Sequence, residues 1–154
     1  MPEDIAARLD KLAIQEVIVR YSDAASRGAW DVFETLWTHD AVWEVAPPVG
    51  TTVVGARAIT EATSETIDQE DFLIQVTHGS VVTLHAGGLA SATTTIHALA
   101  RREGHHSFMN FGIYYDELAK TDGEWRFTRR RLQPVYVESG PLPGEVVISR
   151  ADLR

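Results

Sequence analysis

The chain has 154 residues, of which 44% are hydrophobic and 23% are charged, and its formal net charge at pH 7 is −8. This length fits one domain with a substantial core, and the composition is that of a folded globular protein. The acidic balance argues against a nucleic-acid partner, because binding to phosphates needs clustered lysine and arginine. The chain has no cysteine, which excludes disulfides, thiolate nucleophiles and cysteine-ligated metals.

The N-terminal segment MPEDIAARLDKL is charged and lacks the apolar core of a signal peptide. No apolar stretch of the sequence approaches the roughly 20 residues that are needed to span a bilayer. These two features predict a soluble, cytoplasmic protein that has no membrane partner.

Helical periodicity marks the N-terminal part of the chain. Apolar residues from Ile14 to Ala25 recur at helical spacing, which predicts one or two amphipathic helices over residues 4–27 that end at Gly28. The elements expected next are a short helix over residues 29–38, a strand over residues 41–45 and a helix over residues 56–68. Before this last helix, APPVGTTVVG is typical of a loop or bent edge, because its paired prolines cannot donate to a sheet.

From Phe72 onward the apolar residues alternate with a period of two, which predicts strands. Turn signals in HAGG and TDG, with a similar one in REG, separate four strands over residues 72–85, 89–102, 106–119 and 124–138. Helices followed by antiparallel strands indicate an α+β fold, with the helices on the concave face of a strongly bent sheet. We expect one domain over residues 1–139 and a C-terminal arm, residues 140–154, on the surface or on a partner subunit.

No metal or cofactor site is expected. The adjacent pair His105-His106 would diverge on a strand, and the histidines show neither HxxxH nor HxH spacing. The sequence also lacks a glycine-rich phosphate loop, a nicotinamide fingerprint and a G-x-S-x-G elbow. Chemistry that is independent of a cofactor remains.

Three segments carry a resemblance to a known family: AIQEVIVRYSDAASRGAWDVFETLWTHDAVWEV, VVGARAI and GIYYDELAKTDGEWRFTRRR. With the order of elements, they resemble the SnoaL-like branch of the nuclear transport factor 2-like superfamily over nearly the whole chain. The resemblance implies a cone-shaped α+β barrel whose open end forms a hydrophobic pocket. This superfamily contains dehydratases, ketosteroid isomerases, polyketide cyclases, dehydrochlorinases and non-catalytic binders, so the fold alone does not determine the function.

A resemblance to scytalone dehydratase implies catalytic roles for three side chains. Tyr21 matches a helix tyrosine whose phenol would donate to a carbonyl or enolate oxygen, and the alternative is a core tyrosine with a satisfied hydroxyl. His97 matches a strand histidine and would transfer a proton if its side chain points into the cone. His78 would reach the same face only if Gly79 marks a β-bulge.

The usual acid–base pair of this pattern, a helix aspartate and a strand histidine, is altered in this chain. The aspartate position holds Ser26, and the best register places Gln75 at the histidine position. A serine cannot stabilise an imidazolium by charge as an aspartate does. Asp23 lies one helical turn before Ser26 and could substitute, although a solvated helix face is the stronger interpretation of this residue.

Further residues are candidates for contact with a substrate. Arg129 and Arg131 are expected to share a strand face with Trp125 and Phe127. If that face lines the cavity, an arginine would anchor a carboxylate or enolate, and otherwise both are surface charges. The full set of predicted substrate contacts is Ser26, Trp43, Gln75, Asn110, Arg129 and Arg131.

Two classes of function remain open. The first is a cofactor-independent lyase, isomerase or cyclase that acts by enolate-type acid–base chemistry on a small hydrophobic carbonyl compound. The second is a non-catalytic hydrophobic-ligand-binding or accessory protein, favoured by Ser26 and Gln75. A closed cavity shared by Tyr21 and either His97 or His78 would distinguish the first from the second. A homodimer or homotrimer is also expected, through apolar residues on the outer face of the sheet.

Overall fold

The computed structural model describes residues 2–102 and 107–154 of the chain. Its elements are α1 (Pro2–Arg27), α2 (Trp30–Thr35), β1 (Trp37–Val45), β2 (Thr51–Val54), α3 (Ala56–Ile67), β3 (Phe72–His85), β4 (Leu89–Arg101), β5 (Ser107–Thr121), β6 (Glu124–Gly140) and a 3₁₀ helix (Arg150–Leu153). The strands form one sheet in the order β2-β1-β6-β5-β4-β3. Strands β1 and β6 run parallel, and the other neighbouring pairs are antiparallel. The predicted α+β class with a mainly antiparallel sheet is confirmed.

Helix α1 is a single helix over the range where the sequence predicts one or two. The residues of α1 that face the core recur every three or four positions, as in an amphipathic helix. The residues on that side include Ile14, Ile18, Tyr21, Ala24 and Ala25, all buried. Gly28 follows the helix with a φ of +71°, a left-handed conformation that is free of strain only without a Cβ. The predicted end of the helix at Gly28 is therefore confirmed.

The C-terminal 3₁₀ helix packs against the end of α1 in the same chain. The buried guanidinium of Arg150 donates to the carbonyl oxygens of Ala25 and Ser26, at 2.9 and 3.1 Å. These carbonyls belong to the last turn of α1, which has no intrahelical donors for them. Strand β6 extends to Gly140, one residue into the predicted arm.

Helix α2 is shorter than the sequence predicts, and the next strand begins earlier. Trp37, which local spacing places in the helix, is the first residue of β1. It lies level with Phe127 in the parallel pairing of β1 with β6, and the Phe127 N–H donates to the carbonyl of Leu36 at 2.9 Å. Pairing with a distant strand therefore overrides the local helical pattern.

The four long strands occupy nearly their predicted ranges. Both predicted hairpins are present, with turns over residues 86–88 and 122–123. Asp122 and Gly123 have φ values of 52° and 80°, which suits a tight hairpin turn. The predicted connection at REG and the pair His105-His106 fall on residues 103–106, outside the described residues.

The helices cover one face of the sheet, which we call the inner face, and the opposite side is the outer face. On β4 every second residue from Ala90 to Ala100 is buried on the inner face, and the residues between them are more exposed. The six inner residues are Ala90, Ala92, Thr94, Ile96, Ala98 and Ala100. The small alanine side chains leave room on this face for large side chains from β5 and β6.

Candidate functional site

Tyr21 of α1 meets Tyr114 of β5 in the centre of the inner face. Their hydroxyl oxygens are 3.2 Å apart, within hydrogen-bonding distance, and both side chains are buried. Burial raises the pKa of Tyr21 well above its usual value, and the neighbouring Tyr114 raises it further. The Tyr21 phenol therefore stays protonated and can act as a neutral hydrogen-bond donor.

Arg130, rather than either of its neighbours, is the arginine of β6 that enters the core. The sequence placed Arg129 and Arg131 on the same face as Phe127, and this prediction is wrong. The extra residue Thr128 forms a bulge in the pairing of β6 with β5, so the side chains after it change faces. Arg130 is consequently fully buried.

The two flanking arginines lie on the outer face. Arg129 donates to both carboxylate oxygens of Glu44 at 2.8 Å, and Arg131 lies 3.9 Å from the same carboxylate. Glu44 precedes Val45 on β1, whose side chain is in the core. Both arginines that were predicted as substrate contacts therefore pair with Glu44 on the outer face instead.

The guanidinium of Arg130 is packed against three aromatic rings. Its Cζ lies 3.8 Å from the ring centroid of Tyr114, 4.1 Å from that of Tyr21 and 4.6 Å from that of Phe127. These distances allow cation–π attraction, which gains strength where water is excluded. The aromatic cluster therefore helps to hold a positive charge within the core.

Asp116 of β5 is the counter-charge of Arg130. The Arg130 Nε lies 3.1 Å from Oδ1 of Asp116, and both side chains are 0% exposed. Within the described residues, neither group has any polar partner for its side-chain N or O atoms apart from this contact with the other. Burial raises the pKa of Asp116 to about 6, although the nearby guanidinium acts in the opposite direction. This carboxyl therefore titrates close to neutral pH.

Trp43 lies beside the Asp116–Arg130 pair. In the pairing of the strands Trp43 is level with Arg130, and Arg130 is level with Asp116. The Trp43 Nε1 is buried and has no partner in the described part of the chain. Asn110 is also buried, with an unpartnered Oδ1, but it is six residues before Asp116 and so about 20 Å away along β5. The structure brings Trp43 to this pair and leaves Asn110 apart.

His97 lies on the outer face, because it follows the inward Ile96 on β4. Its ring stacks on Phe111 with centroids 4.3 Å apart and an interplanar angle of 7°. The Nε2 atom is buried and has no partner among the described residues. An inward side chain was the condition for proton transfer by His97, and that condition is not met.

His78 lies at the bulge for which Gly79 is the sequence signal. The pairing of β3 with β4 jumps between Thr77 and Ser80, and Gly79 has a φ of +106°. Thr77 and Ser80 bond to inner-face groups, at 2.7 Å from Ser22 and from Thr94 respectively. The bulge is thus present, but the His78 side chain itself is exposed.

Ser26 and Gln75 contact each other, as their presumed positions require. The Gln75 backbone N–H donates to the Ser26 Oγ at 2.9 Å, and its side-chain Nε2 donates to the Ser22 Oγ at 3.0 Å. Asp23 instead pairs with Arg27 at 2.7 Å on the exposed side of α1. A groove of about 400 Å³ runs beside these residues, between α1 and β3. This junction is a network of neutral hydrogen bonds.

The described residues also limit other kinds of site. In residues 2–102 and 107–154, no helix is long and apolar enough to cross a membrane. In the same ranges, no three histidine, cysteine, aspartate or glutamate side chains gather in a way that could hold a metal ion. The polar cluster that the structure forms on the inner face therefore consists of Asp116, Arg130 and the two tyrosines, and Asp116 is its group that titrates near neutral pH.

Comparison with known proteins adds a family and several similar folds. Residues 6–131 match the family model described as a SnoaL-like domain. The search of curated proteins found no match. LinA-type3, a hexachlorocyclohexane dehydrochlorinase from Novosphingobium barchaimii LL02, has a TM-score of 0.80 and 18% identity, covering 94% of this chain and 98% of that one.

Two structures from Novosphingobium aromaticivorans are also similar. A candidate scytalone dehydratase has a TM-score of 0.78 and 19% identity, covering 88% of this chain and 91% of that one. A nuclear transport factor 2-like protein with a cystatin-like fold has a TM-score of 0.69 and 22% identity, covering 86% and 89%. At these identities the likeness establishes a shared fold, which the sequence had predicted.

Proposed function

Since the chain belongs to the family of SnoaL-like domains, we propose that it is a cofactor-independent lyase, isomerase or cyclase. Its substrate would be a small hydrophobic molecule that carries a carbonyl oxygen. The main support is the fully buried Asp116–Arg130 pair beside the hydroxyls of Tyr21 and Tyr114. A buried ion pair with unused hydrogen-bonding capacity is costly to stability. A buried carboxyl that titrates near neutrality is also a feature of many active sites.

In this proposal Asp116 takes the role that the sequence assigned to a histidine. Its carboxylate removes a proton from a carbon next to the carbonyl, and the electron pair moves onto the carbonyl oxygen. The Nη1 and Nη2 groups of Arg130 have no partner among the described residues, and together with the Tyr21 phenol they would stabilise the resulting enolate oxygen. Return of the proton at another carbon gives isomerisation, departure of a β-leaving group gives elimination, and attack on a second carbonyl gives cyclisation.

Access to the pair constrains this mechanism. Both charged side chains are 0% exposed, so a substrate reaches them only when the packing over the inner face opens. Opening of this kind occurs on microsecond to millisecond timescales in many enzymes and can limit turnover. The dry aromatic surroundings would in turn strengthen every electrostatic contact with the bound molecule.

The second candidate function is hydrophobic-ligand binding without catalysis. It is favoured by the junction of Ser26, Gln75 and Ser22, where hydrogen bonds between neutral groups replace an acid–base pair. The positions of His97 and His78 favour it too, since neither side chain lies in the space around Tyr21. In this case the Asp116–Arg130 pair is a structural feature of the core.

Self-association through the outer face stays a prediction. Exposed apolar side chains do lie on that face, among them Val76, Phe111 and Tyr115. Patches of this kind often mark contacts with other chains. Light scattering at several concentrations would measure the mass, and a strict monomer would contradict the predicted homodimer or homotrimer.

Incorporation of deuterium into a bound ketone, at the carbon next to its carbonyl, distinguishes the two functions. Aromatic and polyketide-like ketones are first screened by thermal shift, since a ligand at 100 times its Kd adds about 2.7 kcal/mol of stability. The ketones that bind are then incubated with the protein in deuterated water, and deuterium next to the carbonyl is measured by mass spectrometry. Exchange reports enolate formation whatever the final reaction is.

The variants separate the two functions. Asp116→Asn keeps the shape of the side chain and should abolish exchange while ketone binding continues, whereas His97→Ala should leave exchange unchanged. Circular dichroism verifies that both variants are folded. Stabilisation by a ketone without exchange in the wild type would establish the binding function instead. Loss of exchange in His97→Ala but not in Asp116→Asn would refute the role of Asp116.

A further inference from the structure

Helix α1 has a second apolar stripe on the side opposite the core. Ile5, Leu9, Leu12 and Val19 are between 54% and 61% exposed, and they occupy four of the five seam positions of a coiled coil over this range, with Glu16 at the fifth. With about 100° of rotation per residue, the stripe lies roughly opposite the buried Ile14. Single exposed apolar residues are ordinary, but four in one line form a surface suited to a partner. We call these four residues the outer stripe.

The outer stripe can pair with the same stripe of a second copy that runs in the opposite direction. If two copies of α1 run antiparallel with Leu12 facing Leu12, residues equally far from Leu12 on its two sides lie level. Ile5 then lies level with Val19, since each is seven residues from Leu12. Arg8 likewise lies level with Glu16, because each is four residues away. Ile5, Leu12 and Val19 thus meet apolar residues, Leu9 lies level with the polar Gln15, and a positive charge meets a negative one.

The outer charges extend this pattern. Asp4 and Arg20 are each eight residues from Leu12 and also lie level in the reversed pair. Within one helix, Asp4 is 3.2 Å from Arg8, and Glu16 is 3.7 Å from Arg20, all on the exposed side. A parallel pair in register would instead place Arg8 against Arg8, which is repulsive. The charges therefore select the antiparallel direction.

The N-terminal half of α1 is held in place before any partner arrives. The carboxylate of Asp10 accepts hydrogen bonds from Lys120 Nζ at 2.8 Å and from Trp125 Nε1 at 2.9 Å, at the β5–β6 hairpin. This contact anchors a part of the helix that precedes the first core residue, Ile14. A helix that is already ordered loses less conformational freedom on association.

We propose that the outer stripe binds a second copy of this chain through an antiparallel, two-fold symmetric pair of α1 helices. In such a pair the same residues contribute from both copies, as a two-fold interface requires. From Ile5 to Val19 the stripe is about 21 Å long, which corresponds to two heptads. The surface is separate from the outer face of the sheet, so the two could operate in one assembly.

Thiol cross-linking tests the pairing, because the chain contains no cysteine of its own. With a short bismaleimide, Leu12→Cys should form a covalent dimer, and Ile5→Cys alone should not. A mixture of Ile5→Cys and Val19→Cys should form a mixed dimer. Arg57→Cys on the exposed side of α3 is the control and should stay monomeric. Cross-linking of Ile5→Cys with itself would show a parallel pair and overturn the proposal.

Charge reversal tests the register independently. Arg8→Glu should weaken the association measured by analytical ultracentrifugation roughly tenfold, because two like-charge contacts replace two ion pairs. The double variant Arg8→Glu/Glu16→Arg should restore the association to within about threefold. The control exchanges Arg57 and Glu61, an exposed pair on α3 with a distance of 2.8 Å. The interface would be refuted if the double variant associated as weakly as Arg8→Glu. It would also be refuted if Leu12→Glu associated as strongly as the wild type.

Discussion

Two regions of this protein hold buried polar side chains in opposite ways. At the junction of α1 with β3, Ser26 and Gln75 are hydrogen-bonded to each other and to neighbouring hydroxyls. In the centre of the inner face, Asp116 and Arg130 are closer to full burial, and among the described residues their charged groups have no polar partner except each other. The first arrangement is satisfied and neutral, whereas the second is charged and unsatisfied.

The difference indicates where chemistry can take place in this scaffold. A satisfied network of neutral groups stabilises packing and offers no proton near neutral pH. An ion pair with free donors costs stability and offers both a titratable carboxyl and a positive charge. The resemblance placed the acid–base pair at the junction, and the structure places the titratable group some distance away on β5.

The largest expected effect is that of Arg130→Met. Removal of the guanidinium leaves Asp116 as a buried charge without a partner, which should lower the free energy of unfolding by about 3–5 kcal/mol at pH 8. The loss should be smaller at pH 5, where the carboxyl takes up a proton and becomes neutral. Urea denaturation at both pH values measures the two losses. Arg131→Met, on the outer face, is the control and should lose less than about 1 kcal/mol.

The pH dependence of stability gives a second comparison of the two regions. The native pKa of Asp116 is about 6, above the usual 3.8 of an unfolded chain, so the native state holds this proton more tightly. Its contribution to stability is therefore full below about pH 4 and is lost as the pH rises through 6. Relative to Asp116→Asn, the wild type should lose on the order of 2 kcal/mol between pH 4 and pH 7. If the difference in unfolding free energy between the wild type and Asp116→Asn stayed constant over this range, the raised native pKa of Asp116 would be contradicted.

Local patterns were sufficient to predict most of the fold. Alternation with a period of two predicted the long strands, and glycine-containing turns predicted both hairpins, because each signal depends on neighbouring residues. The position of Trp37 could not be predicted in this way. Its strand conformation depends on pairing with Phe127, which is 90 residues away in the chain.

The candidate site was harder to predict, because one bulge decides which arginine is buried. In RFTRRR, strict alternation puts Arg129 and Arg131 with Phe127, and the extra residue at Thr128 reverses this. The bulge results from pairing of β6 with β5, which the sequence of one strand does not reveal. A signal for His97 was present, since Ile96 and Ala98 alternate with it and mark the buried face.

At the junction of α1 with β3, where the polar groups are hydrogen-bonded, a smaller effect is expected. Ser26→Ala removes the acceptor of the Gln75 N–H, and should lower the free energy of unfolding by about 1–2 kcal/mol. The loss should be the same from pH 4 to pH 8, because the network contains no group that titrates there. Denaturation curves at several pH values measure it, with Ser64→Ala on α3 as a control of similar chemistry. A loss that changes with pH would show that the junction is coupled to a titrating group.

The smallest expected effect is that of Tyr21→Phe, which separates a core tyrosine from a functional one. The ring and its contact with the Arg130 guanidinium remain, so only the hydroxyl contact with Tyr114 is lost, at a cost of about 1 kcal/mol. Tyr114→Phe removes the same contact, and the double variant should therefore cost less than the sum of the single variants. If the hydroxyl serves the proposed reaction, Tyr21→Phe should also slow deuterium exchange into a bound ketone by at least tenfold, an effect out of proportion to the loss of stability. Exchange that continues at the wild-type rate would assign Tyr21 to the core alone, and the enolate oxygen would then depend on Arg130.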